Sequence, residues 1–239
     1  MKHLTVVTSM CIAGILAHLM GGCAPVAEYH PTIDPANFVT KIDNQFYPLV
    51  LGTTFTYQGA LGSSVQETVD VVTDQTRVIL GVTCVQVHDT VKVDGKLEED
   101  TLDWYAQDKD GNVWYFGEAA KQYGPDGVTQ VSTEGSWEAG VDGAEPGIVM
   151  EGSPKVGDTY RQEYQVGVAE DMAEVLSVNP TGSVTVQGHT YTNLIQTNDT
   201  SKLDPGDIEV KTFAAGVGLV KSEMVKGGID EIELVSKAP

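Results

Sequence analysis

Four Asp-Gly dipeptides, each sixteen residues after the last, constrain the fold of this chain most strongly. They begin at Asp94, Asp110, Asp126 and Asp142, and the first three lie between runs of β-branched and aromatic residues. Asp-Gly supplies the positive φ angles that a two-residue hairpin turn requires. The spacing therefore predicts consecutive antiparallel strands of similar length. Because the flanking residues are not alike, we interpret it as a meander and not as a sequence repeat.

The alternation of β-type and turn residues continues towards the C-terminus. Helical periodicity is weak, and residues 169–175 are the one stretch that could form a short helix instead of a strand. Many consecutive antiparallel strands close most easily into a barrel or half-barrel, because closure limits exposed edges. We therefore predict an all-β antiparallel meander that forms a barrel or half-barrel, with a β-sandwich as the alternative. The predicted strands are residues 53–57, 83–93, 96–107, 112–116, 128–133, 159–166, 173–178, 183–187, 190–197, 207–213, 217–226 and 229–235.

The N-terminus has the architecture of a secretory signal peptide. A basic start precedes an apolar stretch, residues 4–19, which is too short for a hydrocarbon core that requires about 20 apolar residues. The segment Leu19-Met20-Gly21-Gly22-Cys23 resembles the bacterial lipobox, whose cysteine receives lipid before cleavage. We expect a lipoprotein signal peptide over residues 1–22 and a palmitate-type anchor on Cys23, which attaches the protein to a membrane of the cell envelope. In a Gram-negative organism, Ala24 implies the outer membrane, facing the periplasm.

The remaining chain has the length of one domain. Residues 23–46 contain prolines and mixed residue types, so we interpret them as the lipid anchor and a tether. Residues 47–239 are predicted to form a single β domain, because all-β units of 200 to 250 residues are common.

The chain is strongly acidic, with 14 basic and 34 acidic residues and a net charge of −20. Nucleic acid is not an expected partner, because affinity for it comes mainly from Lys and Arg on phosphates. Solubility or a salty habitat accounts for such a charge. The alternative is the binding of a cation or a basic ligand.

The sequence predicts neither a metal site nor a cofactor. After the signal peptide the histidines are His30, His88 and His189, and no pair has the spacing of a metal motif. Glycine-rich phosphate loops are also absent. Cys84 lies in an apolar run, which indicates a buried and unreactive thiol.

Aromatic and charged residues in three segments form the predicted ligand site. Asp103 and Tyr105 share one strand face, which is polar enough to line a cavity. Residues 134–158 form a long stretch of a kind that often acts as a lid. Arg161 is a rare arginine in this anionic chain and should pair with carboxylates such as Asp103 or Glu138, or with a ligand anion. The predicted ligand-binding residues are Trp104, Tyr105, Trp137, Arg161 and Tyr164.

Two segments resemble those of a family of uncharacterised bacterial lipoproteins. Residues 48–57 match the pattern Pro-Leu-x-x-Gly-Thr-x-aromatic-x-Tyr of that family's first strand, and residues 216–220 match its C-terminal Gly-Val-Gly-Leu-Val hairpin. The resemblance extends over most of residues 45–235. It implies a fold but no activity, since both motifs are structural.

Three functions remain open at this point. In the first, the mouth of the barrel binds a small molecule, a glycan or a lipid. In the second, the protein is a carbohydrate-active enzyme in which Asp103 and Glu163 flank a glycosidic bond as a catalytic carboxylate pair. In the third, the domain is a structural or protein-interaction module. Enzymatic activity is the less favoured alternative, because chance proximity of acids is expected among 34 carboxylates.

Overall fold

A computed structural model describes residues 29–239, so the predicted signal peptide and Cys23 lie outside the described residues. In residues 29–239, one 3₁₀ helix precedes a single sheet whose strands all pair in antiparallel fashion. The predicted all-β antiparallel fold is confirmed. Its elements are η1 (Pro35–Asn37), β1 (Phe38–Val39), β2 (Thr54–Leu61), β3 (Ser64–Ile79), β4 (Val82–Val93), β5 (Lys96–Asp108), β6 (Val113–Tyr123), β7 (Gln130–Ser132), β8 (Trp137–Glu138), β9 (Glu145–Met150), β10 (Thr159–Arg161), β11 (Glu163–Tyr164), β12 (Asp171–Val186), β13 (His189–Ser201), β14 (Ile208–Ala214), β15 (Gly218–Lys226) and β16 (Glu231–Ala238).

Most neighbouring strands are also consecutive in sequence. The order along the sheet is β10-β12-β13-β14-β15-β16-β2-β3-β4-β5-β6-β9-β11. The pairing of β16 with β2 brings the last strand beside the first long one, where Leu234 lies opposite Tyr57. This order is the predicted meander, with the last strand paired to the first long strand in the middle of the sheet.

The sheet closes on itself through residues 159–164. β10 pairs with β12 at one edge, and β11 pairs with β9 at the other edge. Since only Gln162 separates β10 from β11, one stretch of backbone belongs to both edges. The sheet is therefore nearly closed into a barrel, as predicted, and is not an open sandwich.

Gly147 allows β9 to approach this closing stretch. A Cβ atom at residue 147 would lie 2.3 Å from the carbonyl carbon of Gln162, closer than two nonbonded atoms can stand. Any other residue would push β9 away from residues 159–164. The closure of the barrel thus depends on a glycine at this position.

Of the first three Asp-Gly dipeptides, for which hairpin turns are predicted, only Asp94-Gly95 forms a two-residue hairpin, between Val93 of β4 and Lys96 of β5. Asp94 and Gly95 have φ angles of 49° and 77° between β4 and β5, and Asp142 and Gly143 have 50° and 79° between β8 and β9. These are the two successive positive angles that a tight hairpin requires. Asp142-Gly143 nevertheless lies in the six-residue connection 139–144 between β8 and β9, two strands that both pair with β6. In the other two dipeptides only the glycine has a positive φ, and the connections, residues 109–112 and 124–129, are also longer than two residues.

The structure corrects three details of the strand prediction. β3 occupies residues 64–79, where no strand was predicted. Residues 134–158 contain β8 and β9, so they form part of the barrel wall and not a lid alone. The two strands predicted at 173–178 and 183–187 are one long strand, β12, which also takes the place of the possible helix at 169–175.

The folded part of the chain begins before Tyr47, within the predicted tether. Ile42 and Phe46 are buried in the core, at 3% and 8% exposure. Asn44 donates hydrogen bonds to the carbonyl groups of Gly111 and Glu151, at 2.8 and 3.1 Å. Apolar and polar contacts therefore both hold the segment before β2 against the barrel. In the described part of the chain, no helix is long and apolar enough to cross a membrane.

Candidate functional site

The interior of the barrel holds a partly open cavity of about 100 Å³. Its wall comes from β2 to β6, β9, β14 and β15, together with residues 47–49 and Gln162 of the closing stretch. The uncharged residues of the wall are Tyr47, Pro48, Leu49, Phe55, Tyr57, Val87, Thr101, Tyr105, Tyr115, Val149, Gln162, Phe213, Gly218 and Leu219. The charged residues are Asp70, Asp89, Glu99, Asp103 and Lys211.

Four carboxyl groups occupy one side of the cavity, which we call the acidic side: Asp70, Asp89, Glu99 and Asp103. They come from three neighbouring strands, because alternate residues of β3, β4 and β5 point into the barrel. Asp70 lies directly opposite Asp89, and Asp89 lies directly opposite Thr101. Like charges placed opposite each other on adjacent strands repel. The arrangement therefore requires bound protons or a compensating cation.

Aromatic and aliphatic side chains occupy the adjoining side, which we call the apolar side: Leu49, Phe55, Phe213 and Leu219. Phe213 lies directly opposite Leu219 across β14 and β15. Phe55 lies directly opposite Asp70 across β2 and β3, so the two sides of the cavity meet at this pair. Such a wall offers apolar contact area beside a small number of polar groups, which is the usual composition of a ligand site.

Burial holds protons on the acidic side. Desolvation raises the pKa of Asp70 to about 7 and that of Asp103 to about 8. The pKa of Asp89 rises well above its ordinary value through burial and then through the nearby charges of Asp70 and Asp103. Asp70 and Asp89 lie directly opposite each other, so a proton on one of the two carboxyl groups relieves the repulsion between them. At neutral pH the acidic side is thus partly protonated.

Tyr115 joins the acidic side to a further buried acid. Its hydroxyl lies 2.5 Å from Asp103 Oδ1 and 2.9 Å from Glu118 Oε2. One hydroxyl has a single proton to donate, so a proton on one of the two carboxyl groups is needed to satisfy both contacts. Burial, followed by the charge of Asp103, raises the pKa of Glu118 well above its ordinary value, which supplies that proton.

Lys211 is the cationic residue of the cavity wall. Its Nζ lies 2.8 Å from Asp199 Oδ2 and 3.3 Å from Glu209 Oε2. Burial disfavours the charged amine, but the charges of Asp199 and Glu209 outweigh this effect and raise the pKa of Lys211 well above its ordinary value. Its positive charge is thus already matched by two acids that do not belong to the acidic side.

Two of the predicted site residues, Asp103 and Tyr105, line the cavity. The ring of Tyr105 stacks on that of Tyr115, with 4.7 Å between ring centroids. The ring centroids of Tyr47 and Tyr105 lie 5.8 Å apart. The strand face predicted from Asp103 and Tyr105 is therefore the face that meets the cavity.

The predicted tryptophans are buried outside the cavity wall. Trp104, at 3% exposure, packs beneath the guanidinium of Arg77, 4.3 Å from the ring centroid. Trp137, at 4% exposure, donates from its indole nitrogen to Glu163 Oε2 at 3.1 Å. Glu163 is likewise buried and absent from the wall, although its charge interacts with that of Asp103.

Arg161 and Tyr164 lie together at the closing stretch and not in the cavity wall. The guanidinium of Arg161 is 4.4 Å from the ring centroid of Tyr164 and 5.7 Å from that of Tyr29. Arg161 was expected to pair with Asp103 or Glu138. Instead it packs against two aromatic rings, and Glu138 forms an ion pair with Arg77.

Sequence reasoning missed four charged cavity residues: Asp70, Asp89, Glu99 and Lys211. Asp70 belongs to β3, the strand that was not predicted. On this strand the usual pattern is reversed, because Gln66 and Thr68 are fully buried while Val65 is 62% exposed. Polar residues at every second position of β3 were the available signal, and they indicate a polar interior.

The two segments that resemble the lipoprotein family meet at the cavity. Pro48 and Phe55 belong to the first segment, and Gly218 to the second. A Cβ atom at residue 218 would lie 3.9 Å from both Pro48 and Phe55. Both segments therefore contribute to the wall, mainly on its apolar side.

Cys84 is buried, as predicted, and desolvation raises the pKa of its thiol to about 12. Residues 29–239 hold no group of three or more His, Cys, Asp or Glu side chains suited to a metal ion.

No family model matches the chain, and no curated protein matches it by sequence. Among solved structures, the chain is similar to a "putative lipoprotein from Parabacteroides distasonis ATCC 8503". The two share 11% identity with a TM-score of 0.45, over 82% of this chain and 100% of the other.

Proposed function

We propose that this protein is a lipid-anchored barrel of the cell envelope that binds a small molecule in its interior. The observation that carries the proposal is the cavity itself, whose wall combines aromatic rings with a few buried charged groups. Aromatic area gives affinity, and buried polar groups fix the orientation of a ligand. A small molecule suits this wall better than a lipid, because the four carboxyl groups of the acidic side disfavour an acyl chain.

The carbohydrate-active alternative stays a prediction. Asp103 lines the cavity and has a pKa raised by burial to about 8, which suits a general acid at neutral pH. Glu163, its predicted partner, is not in the cavity wall and accepts a hydrogen bond from Trp137. Binding is therefore the function that the positions of these residues favour.

The binding proposal is tested by native mass spectrometry of the protein purified from its own host. We expect a co-purifying small molecule in the wild type. Val149 lines the cavity, so Val149→Phe fills part of it and should abolish the adduct. Val178→Phe is the matched control, because Val178 on β12 is 40% exposed. An adduct retained by Val149→Phe would place the ligand elsewhere, and its absence from the wild type would favour a structural or protein-interaction module.

The lipid anchor belongs to the same proposal. The lipobox-like segment before Cys23 supports it, as does the resemblance to a lipoprotein family. Lipid on Cys23 would attach the barrel to a membrane, at the outer membrane facing the periplasm in a Gram-negative host.

Metabolic labelling with a palmitate analogue tests the anchor. We expect label in the wild type and none in Cys23→Ala, which should also keep its signal peptide. Cys84→Ala is the matched control, because this thiol is buried in the barrel. Equal labelling of Cys23→Ala and wild type would contradict the anchor without affecting the cavity.

A further inference from the structure

We propose that the cavity binds a small organic cation, with its ammonium group against Asp70 and Asp89 and its apolar body against the apolar side. The inference rests on the proposed function, because it names the chemical class of the ligand for the same cavity.

Asp89 provides the observation that points to such a ligand. Asp89 lines the cavity yet is only 8% exposed. The Oδ1 atoms of Asp89 and Asp70 receive no hydrogen bond from an N–H or O–H group of the other residues in the described range 29–239. Buried carboxyl oxygens normally have a donor. An ammonium group has three N–H donors and can serve both carboxyl groups at once.

The charges of the cavity wall indicate that the ligand is positively charged. Lys211 is the one cationic residue that the described chain places in the wall, and Asp199 and Glu209 already match its charge. An anionic ligand would face the acidic side without a free cation to bind. A cationic ligand instead supplies a positive charge to Asp70 and Asp89.

The apolar side gives the ligand its second feature. Phe55 lies directly opposite Asp70, so a molecule whose ammonium group contacts Asp70 also reaches the apolar side. The rings of Tyr47, Tyr57 and Tyr105 line the same cavity, and aromatic faces attract organic cations. An amine with a short apolar body fits both sides better than an inorganic cation, which has no apolar surface to place against Phe55 and Phe213.

Binding of the ligand should be coupled to the release of one proton from the protein. In the free barrel, Asp70 and Asp89 carry one proton between them, because burial raises the pKa of both carboxyl groups. When the ammonium group enters, the shared proton leaves to solvent and both carboxyl groups become carboxylates that accept N–H hydrogen bonds. No other bond forms or breaks. Affinity should then rise by about tenfold per pH unit while one proton is released.

Calorimetric titration of the full protein with matched compounds tests the proposal. The probes are n-butylamine, n-butanol and butyrate, and 2-phenylethylamine, 2-phenylethanol and phenylacetate. They share one body within each series and differ in charge. We expect the amine to bind at least about tenfold more tightly than the alcohol in one or both series, the carboxylate not to bind, and the protein to release about one proton per amine.

Asp89→Asn tests the site, because it removes the charge and keeps the shape of the side chain. We expect it to abolish both the preference for the amine and the proton release. Asp142→Asn is the matched control, since Asp142 is exposed in a turn with a φ of 50° that asparagine also adopts. If Asp89→Asn does not fold, Asp70→Asn and the pH dependence of the wild type test the same exchange.

Failure of this inference is distinguishable from failure of the proposed function. Alcohol that binds as tightly as amine, or amine binding unchanged in Asp89→Asn, would overturn the cation inference. So would a lack of binding by either amine. A neutral or anionic molecule that co-purifies from the host would overturn the cation inference but support the binding proposal. A wild type without any co-purifying molecule would count against the proposed function itself.

Discussion

The two sides of the cavity adjoin each other but depend on different physical forces. The apolar side is ordinary core, in which Phe55 and Phe213 are 4% and 3% exposed and contribute by leaving water. On the acidic side burial costs free energy, because the carboxyl groups of Asp70, Asp89 and Asp103 lose hydration when they leave water. Its geometry therefore costs stability in the free protein.

That difference separates residues that hold the barrel together from residues retained for another purpose. A like-charged pair such as Asp70 and Asp89 inside the barrel is a poor device for stability, since apolar residues of similar size would serve better. Strongly shifted pKa values in a cavity are typical of functional sites. The acidic side is accordingly where we expect substitutions to stabilise the fold and impair binding.

The largest effect is expected from replacing Lys211, whose positive charge balances the charges of Asp199 and Glu209. Lys211→Met leaves Asp199 and Glu209 without their cation and should lower the free energy of unfolding by about 3–5 kcal/mol. The matched control is Lys221→Met. The ion pairs of Lys221 with Glu223 and Glu231 are more exposed, and their loss should cost at most about 1 kcal/mol. Equal losses in urea denaturation of the two variants would contradict the assigned role of Lys211.

Phe213 tests the apolar side. Phe213→Ala removes a buried ring and should lower the free energy of unfolding by about 3–5 kcal/mol. Because no charge is involved, the loss should be the same at pH 5 and pH 8. Val225→Ala is a control for loss of apolar side-chain atoms at a site that is 54% exposed, and its effect should be near zero. A loss at Phe213 that depends strongly on pH would show that the two sides are not independent.

Tyr115 tests the connection between Asp103 and Glu118. Tyr115→Phe removes the hydroxyl that contacts both acids and should cost about 1–3 kcal/mol in thermal or urea unfolding. Tyr123→Phe near the end of β6 makes the same chemical change, and its hydroxyl forms neither of these two contacts. An equal effect of the two substitutions would show that the hydroxyl of Tyr115 adds no stability.

Much of the fold was predictable because most of the chain follows simple rules. Turn dipeptides such as Asp94-Gly95 mark hairpins whose strands β4 and β5 were placed within one or two residues of their observed ends. β3 was missed because Gln66 and Thr68 point inwards while Val65 points to solvent. A rule that places apolar residues inside fails for a strand that faces a polar cavity.

The candidate site was predictable only in part. Alternation on β5 identified the face that carries Asp103 and Tyr105, which is local information. Asp70 lies opposite Asp89 because of the register between β3 and β4. That register could not be predicted, because β3 itself was not predicted. The aromatic residues Trp104 and Trp137 were conspicuous in the sequence, but the barrel uses them as buried packing residues.

The dependence of barrel stability on pH shows whether the acidic side holds bound protons in the folded protein. Burial raises the pKa of Asp70 to about 7 and of Asp103 to about 8, while both are near 3.8 in the unfolded chain. Between pH 4 and 8 the folded state therefore binds more protons than the unfolded state, so stability should fall as pH rises through this range.

Thermal unfolding should be followed from pH 5 to pH 8 in the wild type and in Asp70→Asn with Asp89→Asn. We expect the wild-type midpoint to fall by several degrees, since about 1 kcal/mol corresponds to about 2–4 °C in a domain of this size. The double variant should be more stable than the wild type at pH 8 and should depend less on pH. A wild-type midpoint that rises or stays constant between pH 5 and 8 would contradict the claim that the carboxyl groups of the acidic side destabilise the folded protein as they lose their protons.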